Sequence, residues 1–249
     1  MSLTVASFNI RKAIGTDRRR RPDRVLGVLE EIGADIIALQ EADKRVGTRG
    51  AAVPHALIDD HGHWDPVDFD VSHKKLADLL PSHKLFDRLD TRNLGWHGNA
   101  ILVRKGMKII DAEALDLPTL EPRGAVMAEV EHDGGPVRVI GMHLDLSGLY
   151  RRRQIERIVA HIEKRHAHMP TIIMGDTNDW RPTAPCFEPL SPRFRFAECG
   201  PSFHSRRPMA ALDRIIVDRE LGIENAGVHR SAAAHKASDH LPVWARLKR

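Results

Sequence analysis

Residues 137–178 read VRVIGMHLDLSGLYRRRQIERIVAHIEKRHAHMPTIIMGDTN, and their pattern decides the fold. An apolar run, residues 137–142, closes on His143; a second, residues 171–174, closes on Gly175 and Asp176, with Asn178 just beyond. Between them Ile155, Ile158, Val159 and Ile162 recur at helical spacing, which predicts a helix over residues 151–166. The same strand, helix, strand order stands at the N-terminus. Residues 3–8 close on Asn9. Residues 22–32 then place Val25, Leu26, Leu29 and Ile32 on one face behind a first-turn proline, and residues 36–39 run into Gln40 and Glu41.

Further short runs rich in Val, Ile and Leu occupy residues 100–103, 125–130, 214–217 and 241–247, bounded by Gly, Pro and Asp. Helices laid over the outer faces of two packed sheets account for this order. The expected fold class is α/β: a four-layer α/β/β/α sandwich of two mixed sheets flanked by helices, in one domain over residues 1–249. No repeat of fixed period interrupts it. A third, shorter helix is expected over residues 73–80. Residues 43–72, rich in Gly, Pro, His and Asp, are expected to form a surface loop near the site.

Hydrophobic residues at 42% and charged residues at 29% are ordinary globular values and do not suit a disordered chain. A net charge of +4, from 38 basic and 34 acidic side chains, is too small an imbalance to name a polyanionic partner by itself. Cys186 and Cys199 lack metal spacing and read as free thiols. There is no apolar stretch of membrane length and no leader-like start, so the expected location is the cytoplasm; the oligomeric state stays open.

The chemistry sits at the strand ends. Asn9, Glu41, His143, Asp176, Asn178, Asp213, Asp239 and His240 each flank a predicted strand, so one edge of the sandwich would collect carboxylates, amides and imidazoles. Taken singly, an Asp or Asn at a strand end is a turn former or a cap. Joint occurrence in order reverses that reading. Carboxylates with an amide oxygen are hard ligands that suit Mg²⁺ or Mn²⁺, and Asn9, Glu41 and Asp239 supply them. A His beside a carboxylate is held in one tautomer and made more basic, as His240 with Asp213 would be.

With those residues in view, the chain resembles the endonuclease/exonuclease/phosphatase superfamily through residues 7–10, 39–41, 98–102, 142–144, 175–178, 212–215 and 238–240. The resemblance implies divalent-metal-dependent phosphoester hydrolysis. Glu41 looks like the principal metal ligand, assisted by Asn9 and Asp239. Asp176 and Asn178 would hold the attacking water, a phosphate oxygen or a second metal. His240, oriented by Asp213, would be the base, with Asp176 as its substitute, and His143 would bond the phosphoryl oxygens. His143 stands where abasic-site endonucleases carry Tyr, and aromatics are only 5% with one tyrosine. The chain is more similar to the sphingomyelinase-like bacterial branch. A phosphodiester or a small phosphorylated molecule is the expected substrate, with nonspecific DNA or RNA cleavage and an inactive binding module as rivals.

Asn99 and Arg123 open strands that resemble family strands, and either could touch phosphate or be purely structural. Arg18 to Arg21, ahead of a helix N-terminus, oppose its dipole and would either stay solvated or meet an anion. Among Arg151 to Arg153 a structural Arg near the site is expected. The pairs His61/His63 and His166/His168 lack partner sets and read as surface histidines.

Overall fold

A computed structural model describes residues 2–43, 50–69, 94–121, 123–165 and 167–249; the helix expected over residues 73–80 lies outside them. Each strand, helix, strand unit has become the centre of a sheet. In the first, β1 (Ser2–Asn9) and β2 (Ile36–Gln40) pair in parallel and are joined by α1 (Pro22–Ile32). In the second, β7 (Val137–His143) and β8 (Thr171–Asp176) pair in parallel and are joined by α3 (Gly148–Lys164). Pro22 opens α1 without sacrificing a needed N–H, and Gly33, left-handed at φ 63°, stops it.

The other strands are β3 (Trp64–Pro66), β4 (Ala100–Arg104), β5 (Ile109–Leu115), β6 (Ala125–Val130), β9 (Phe194–Phe196), β10 (Asp213–Asp218), β11 (Gly222–Val228) and β12 (Val243–Lys248). The sheet orders are β11-β12-β1-β2-β4-β3 and β5-β6-β7-β8-β10-β9. Period-two alternation divides each central strand between two cores. On β2, Ile36 and Ala38 enter the layer between the sheets, with Ile101, Val126, Val139, Ile172 and Val243. Ile37 and Leu39 face outward against Leu26 and Leu29 of α1 and Ile58 of α2 (His55–His61). Ile140 and Ile173 face the other way, under Ile155 and Ile158 of α3. The fold is the expected α/β/β/α sandwich.

Residues 43–72 are not a plain loop: α2 and β3 lie within them. Pro54 precedes α2 and Ile58 anchors it, but seven residues show too little of a helical period to be read. The last strand begins at Val243 rather than 241, because the N–H of Leu241 is taken by the Ser202 carbonyl instead of the ladder. No helix among the described residues is long and apolar enough to cross a membrane.

Candidate active site

Strand register assembles the site. Asp213 of β10 lies opposite Asp176 of β8, which lies opposite His143 of β7, so three polar side chains form one row across adjacent strands. Gly175 permits this: a Cβ there would sit 1.8 Å from the Met142 carbonyl oxygen, so only glycine brings β8 this close to β7. From the other sheet, Asn9 at the end of β1 donates through Nδ2 to Asp176 Oδ2 at 2.9 Å. Asp176 is thereby the hub where the two sheets meet.

His240 reaches the row from the segment before β12. The Ser238 hydroxyl, donating to the Asn9 carbonyl at 2.7 Å, pins that segment to β1. His240 Nδ1 bonds Asp213 Oδ2 at 2.8 Å, and Nε2 stands 3.8 Å from Asp176 Oδ2. Asp213 also accepts the Ser202 hydroxyl, and the Phe203 ring packs 4.8 Å from the imidazole. Burial disfavours the charged ring, but Asp213, Asp176 and Asp239 outweigh it and push the His240 pKa up to about 10. In the chain alone His240 is an imidazolium at neutral pH.

His143 is held differently. Arg123 contacts His143 Nε2, and a guanidinium can only donate, so that nitrogen is an acceptor. Its 3.4 Å approach to Asp176 Oδ2 is then not a hydrogen bond. Arg123 also donates to the Leu144 carbonyl at 3.0 Å, and Asn178 Nδ2 to the same oxygen at 2.8 Å. The Asn178 N–H caps Asp176 Oδ1 at 2.9 Å. Asn99 is fully buried and gives its amide to the Gly124 carbonyl at 3.0 Å, next to Arg123. Register and bonding thus bring Arg123 into the site and put Asn99 behind it.

Glu41 and Asp239 each hold a cation of the chain itself. Lys12 Nζ contacts Glu41 Oε2, and Arg11 Nε lies 3.3 Å from Asp239 Oδ2. Both reach back because Arg11, Lys12 and Ala13 are consecutive left-handed residues, with φ of 45°, 57° and 60°. Glu41 (52°), His97 (48°) and Asn178 (49°) are left-handed as well, so strain gathers at this end of the sandwich. Gly98 is required beside it: at φ 79° a Cβ would come within 3.0 Å of the Asp43 carboxylate and 3.5 Å of the Glu41 Cα.

The donor set of Asn9, Glu41 and Asp239 is all oxygen, and the ammonium and guanidinium on its carboxylates mark it as a place that demands positive charge. It fits a hard divalent cation. Ligand atoms of Asp176, Asp213 and His240 also lie within 4.8 Å of one another, close enough to hold a metal ion. An ion bound by all three would compete with the bond between His240 and Asp213. The Glu41 carboxylate is held by Lys12, and that of Asp239 by Arg11 and by the Ser238 hydroxyl at 3.3 Å, so neither has to give up a buried His partner to an ion.

Sequence reasoning missed Arg11, Lys12, Ser202 and Phe203. The two cations directly follow Asn9 and Ile10, but nothing in the sequence marks the left-handed turn that aims them; Ser202 and Phe203 lie in an irregular segment with no periodicity. The other basic residues mostly went to structure. Arg20 donates to the Ala52 carbonyl at 2.7 Å and Arg21 pairs with Asp23, although all four residues of the run, Arg18 to Arg21, are exposed. Arg151 is buried against Asp179 at 2.9 Å, and Arg181 on the same carboxylate, with burial opposing and Arg151 assisting, holds Asp179 down at about 2. His61 and His168 pair with Glu30 and Glu220, as surface histidines do.

A model of the endonuclease/exonuclease/phosphatase family matches residues 6–240. The chain is 27% identical over 259 residues to the uncharacterised protein YbhP of Escherichia coli K12, across 99% of this chain and 96% of that one. Danio rerio TDP2, solved with a single-strand DNA product, superimposes with a TM-score of 0.73 at 16% identity, covering 100% of this chain and 99% of that one. The Bacteroides thetaiotaomicron mannosyl-6-phosphatase gives 0.71 at 18%, covering 99% and 100%. The human Nocturnin catalytic domain, with bound sulfate, gives 0.70 at 18%, covering 99% and 94%.

Proposed function

Because this chain belongs to the endonuclease/exonuclease/phosphatase family, we propose that it is a Mg²⁺- or Mn²⁺-dependent hydrolase of a phosphodiester or a small phosphorylated molecule. The observation that carries the proposal is the row Asp213, Asp176, His143, with His240 bonded to Asp213 and Asn9 closing on Asp176 from the facing sheet. Glu41, Asn9 and Asp239 would hold the cation. Bound there, it supplies positive charge to the phosphoryl oxygens.

The remaining work falls to the chain. Asp213 fixes the Nδ1–H tautomer of His240, which leaves Nε2, once deprotonated, to take a proton from the attacking water. Asp176, between Nε2 and the Asn9 amide, positions that water and is the substitute base. Arg123, held by His143 Nε2, would meet the phosphoryl oxygens as charge builds on them, so that His143 acts on them through Arg123, and Asn178 keeps Asp176 in its rotamer. Placement in the sphingomyelinase-like branch is part of the proposal. So is a cytoplasmic location, with which two free cysteines agree.

One observation favours nuclease activity as a second reading: Arg206 donates to the Thr16 carbonyl at 2.9 Å, which sets exposed Arg206 and Arg207 beside exposed Arg18 and Arg19. That reading agrees with the DNA product in the TDP2 structure. A panel of bis-p-nitrophenyl phosphate, plasmid DNA, RNA, inositol phosphates and phospholipid micelles, with Mg²⁺, Mn²⁺ or chelator, separates them. Chelator-sensitive turnover of the small diester is expected. Turnover of nucleic acid alone, falling steeply with salt, would favour the nuclease. Inactivity on every member would leave a binding module.

A further inference from the structure

Asp145, two residues beyond His143, is a buried carboxylate with 2% exposure. Its backbone is set from α3: the Gln154 side chain accepts its N–H at 2.9 Å, and Arg151 donates to its carbonyl at 3.2 Å. One carboxylate oxygen, Oδ1, accepts the Ser147 N–H at 2.8 Å, the ordinary turn an Asp makes ahead of a helix. The other reaches far back along the chain. Oδ2 accepts the Leu120 N–H at 3.0 Å and the Thr119 hydroxyl at 3.1 Å. A turn former needs only the first oxygen. Burial pushes the Asp145 carboxyl up, but those donors and the charge of Arg123 outweigh it and hold it below its ordinary value.

The stretch that Oδ2 holds leads directly into Arg123. The Arg123 N–H returns to the Glu121 carbonyl at 2.6 Å, and its Nε donates to the Glu121 carboxylate at 3.2 Å. Nη1 is occupied by His143 Nε2 and by the carbonyl of Leu144, the residue before Asp145. Nη2 makes no hydrogen bond to a described residue, so it is the nitrogen left to meet an oxygen of a ligand. The guanidinium is thus slung between residues 119–121 and residues 143–144. Asp145 joins the two, belonging to the second by its backbone and holding the first by Oδ2.

We propose that Asp145 is a positioning residue for Arg123: it ties residues 119–120 to the segment after His143 and so fixes Nη2 where phosphoryl oxygens would lie. The oxygens rest on the phosphoesterase reading; the tie does not. A guanidinium stabilises developing charge best when it is already in place, because nothing has to reorganise as the charge appears. Without the Asp145 carboxylate, the Leu120 N–H and the Thr119 hydroxyl lose their acceptor. The stretch that sets the Arg123 backbone and Nε then moves while Nη1 stays on Leu144, and Nη2 no longer keeps one direction. Asn9, Glu41 and Asp239 adjoin β1, β2 and β12 of the other sheet, so the metal carboxylates do not depend on this tie.

The test is a double-mutant cycle on the full chain, with Asp145→Ala, Arg123→Ala and the two combined, assayed on bis-p-nitrophenyl phosphate with Mg²⁺. Arg123→Ala should lose about 100- to 1000-fold in kcat/KM and Asp145→Ala about 10- to 100-fold. In the Arg123→Ala chain, adding Asp145→Ala should change kcat/KM by less than about twofold, because a residue that acts through Arg123 has nothing left to act on. Mg²⁺ affinity by calorimetry should stay within about twofold throughout. Asp145→Asn keeps one acceptor oxygen and should recover part of the loss. Thr119→Ala, at a half-buried residue, removes one bond of the same tie and should lose up to about tenfold. These two carry the comparison should Asp145→Ala lose its native circular dichroism. In metal-free buffer the Arg123 Nε–H resonance should shift, and exchange faster with water, in Asp145→Ala and Thr119→Ala. Losses that multiply in the double variant, a matching loss of Mg²⁺ affinity, or an Nε–H resonance indifferent to both substitutions overturn the proposal. No turnover by the native chain would refute the phosphoesterase reading, while the resonance still judges the tie.

Discussion

Asparagine in place of Asp213 removes the partner that holds the His240 proton. The native chain raises this imidazole from 6.5 to about 10, a difference of roughly 5 kcal/mol between its charged and neutral forms at 1.36 kcal/mol per pKa unit. A raised folded-state pKa stabilises the fold in full below the unfolded value and is lost as pH climbs to the folded one. The window is therefore pH 6.5 to about 10. In metal-free buffer the native chain should lose stability steadily across it. Asp213→Asn keeps the shape, loses the charge, and leaves the ring to face Asp176 and Asp239 alone.

Its deficit against the native chain should be about 2–4 kcal/mol near pH 6.5, since a buried ion pair broken on one side costs about 3–5 kcal/mol and the ring can escape part of that by deprotonating. By pH 10 the deficit should shrink to about 1 kcal/mol, the worth of the bond from Ser202. Urea unfolding across this range reads the deficit, and the His240 ring proton followed by NMR reads the pKa. A deficit independent of pH, or a native His240 titrating near 6.5, would refute the reasoning. The same logic sets the pH dependence of catalysis. With Mg²⁺ present, turnover should rise with pH through a value below that of the metal-free ring, because Asp239, one of the three carboxylates that raise it, would then be engaged by the ion. His240→Ala should lose about two to four orders of magnitude in turnover.

Glu41→Gln should weaken Mg²⁺ binding by about 100-fold and abolish turnover with circular dichroism unchanged; full turnover at saturating Mg²⁺ would remove Glu41 from the metal set. Lys12→Met should destabilise the metal-free chain by about 1 kcal/mol and raise Mg²⁺ affinity by up to about tenfold, since the ion no longer displaces an ammonium; calorimetry showing weaker binding would contradict the competition. Arg20→Met should cost about 1 kcal/mol through its lost bonds to the carbonyls of residues 51 and 52. Arg18→Gln with Arg19→Gln should leave stability within about 0.5 kcal/mol and raise only KM for a large anionic substrate; a loss of kcat on the small diester would point to misfolding.

The eight strands that could be read from the sequence are the eight inner strands, and the four that could not are β3, β5, β9 and β11, the four edges. The reason is burial. Val139, Ile140, Ile172 and Ile173 are each covered whichever face they take, so their strands read as unbroken apolar runs. Gly222–Val228 has no fully buried residue and carries a bulge near Asn225, and Trp64–Pro66 ends on a proline tolerated only at an edge. Edge pairing depends on what the neighbouring strand offers. The strand's own composition does not reveal it.

Which residues the strand register brings together was legible; how the chain turns around them was not. His143, Asp176 and Asp213 announce themselves because register places strand ends side by side, and a strand end is visible in sequence. Arg11 and Lys12 do not, because the left-handed turn that turns them back has no glycine or asparagine to signal it: Arg11, Lys12 and Ala13 are all residues that ordinarily avoid that region, at about 1–2 kcal/mol each. Such a turn persists only where its surroundings insist on it. Here they are the Glu41 and Asp239 carboxylates, each holding one cation of the turn, and two backbone bonds, Lys12 N–H to the Glu41 carbonyl at 3.0 Å and Arg21 N–H to that of Ala13 at 2.8 Å. A cation that takes over Glu41 and Asp239 leaves those backbone bonds in place. The turn then keeps its shape while its ammonium and guanidinium lose their partners beside the phosphoryl site, so the Lys12→Met variant should bind metal more tightly and bind an anionic substrate less well.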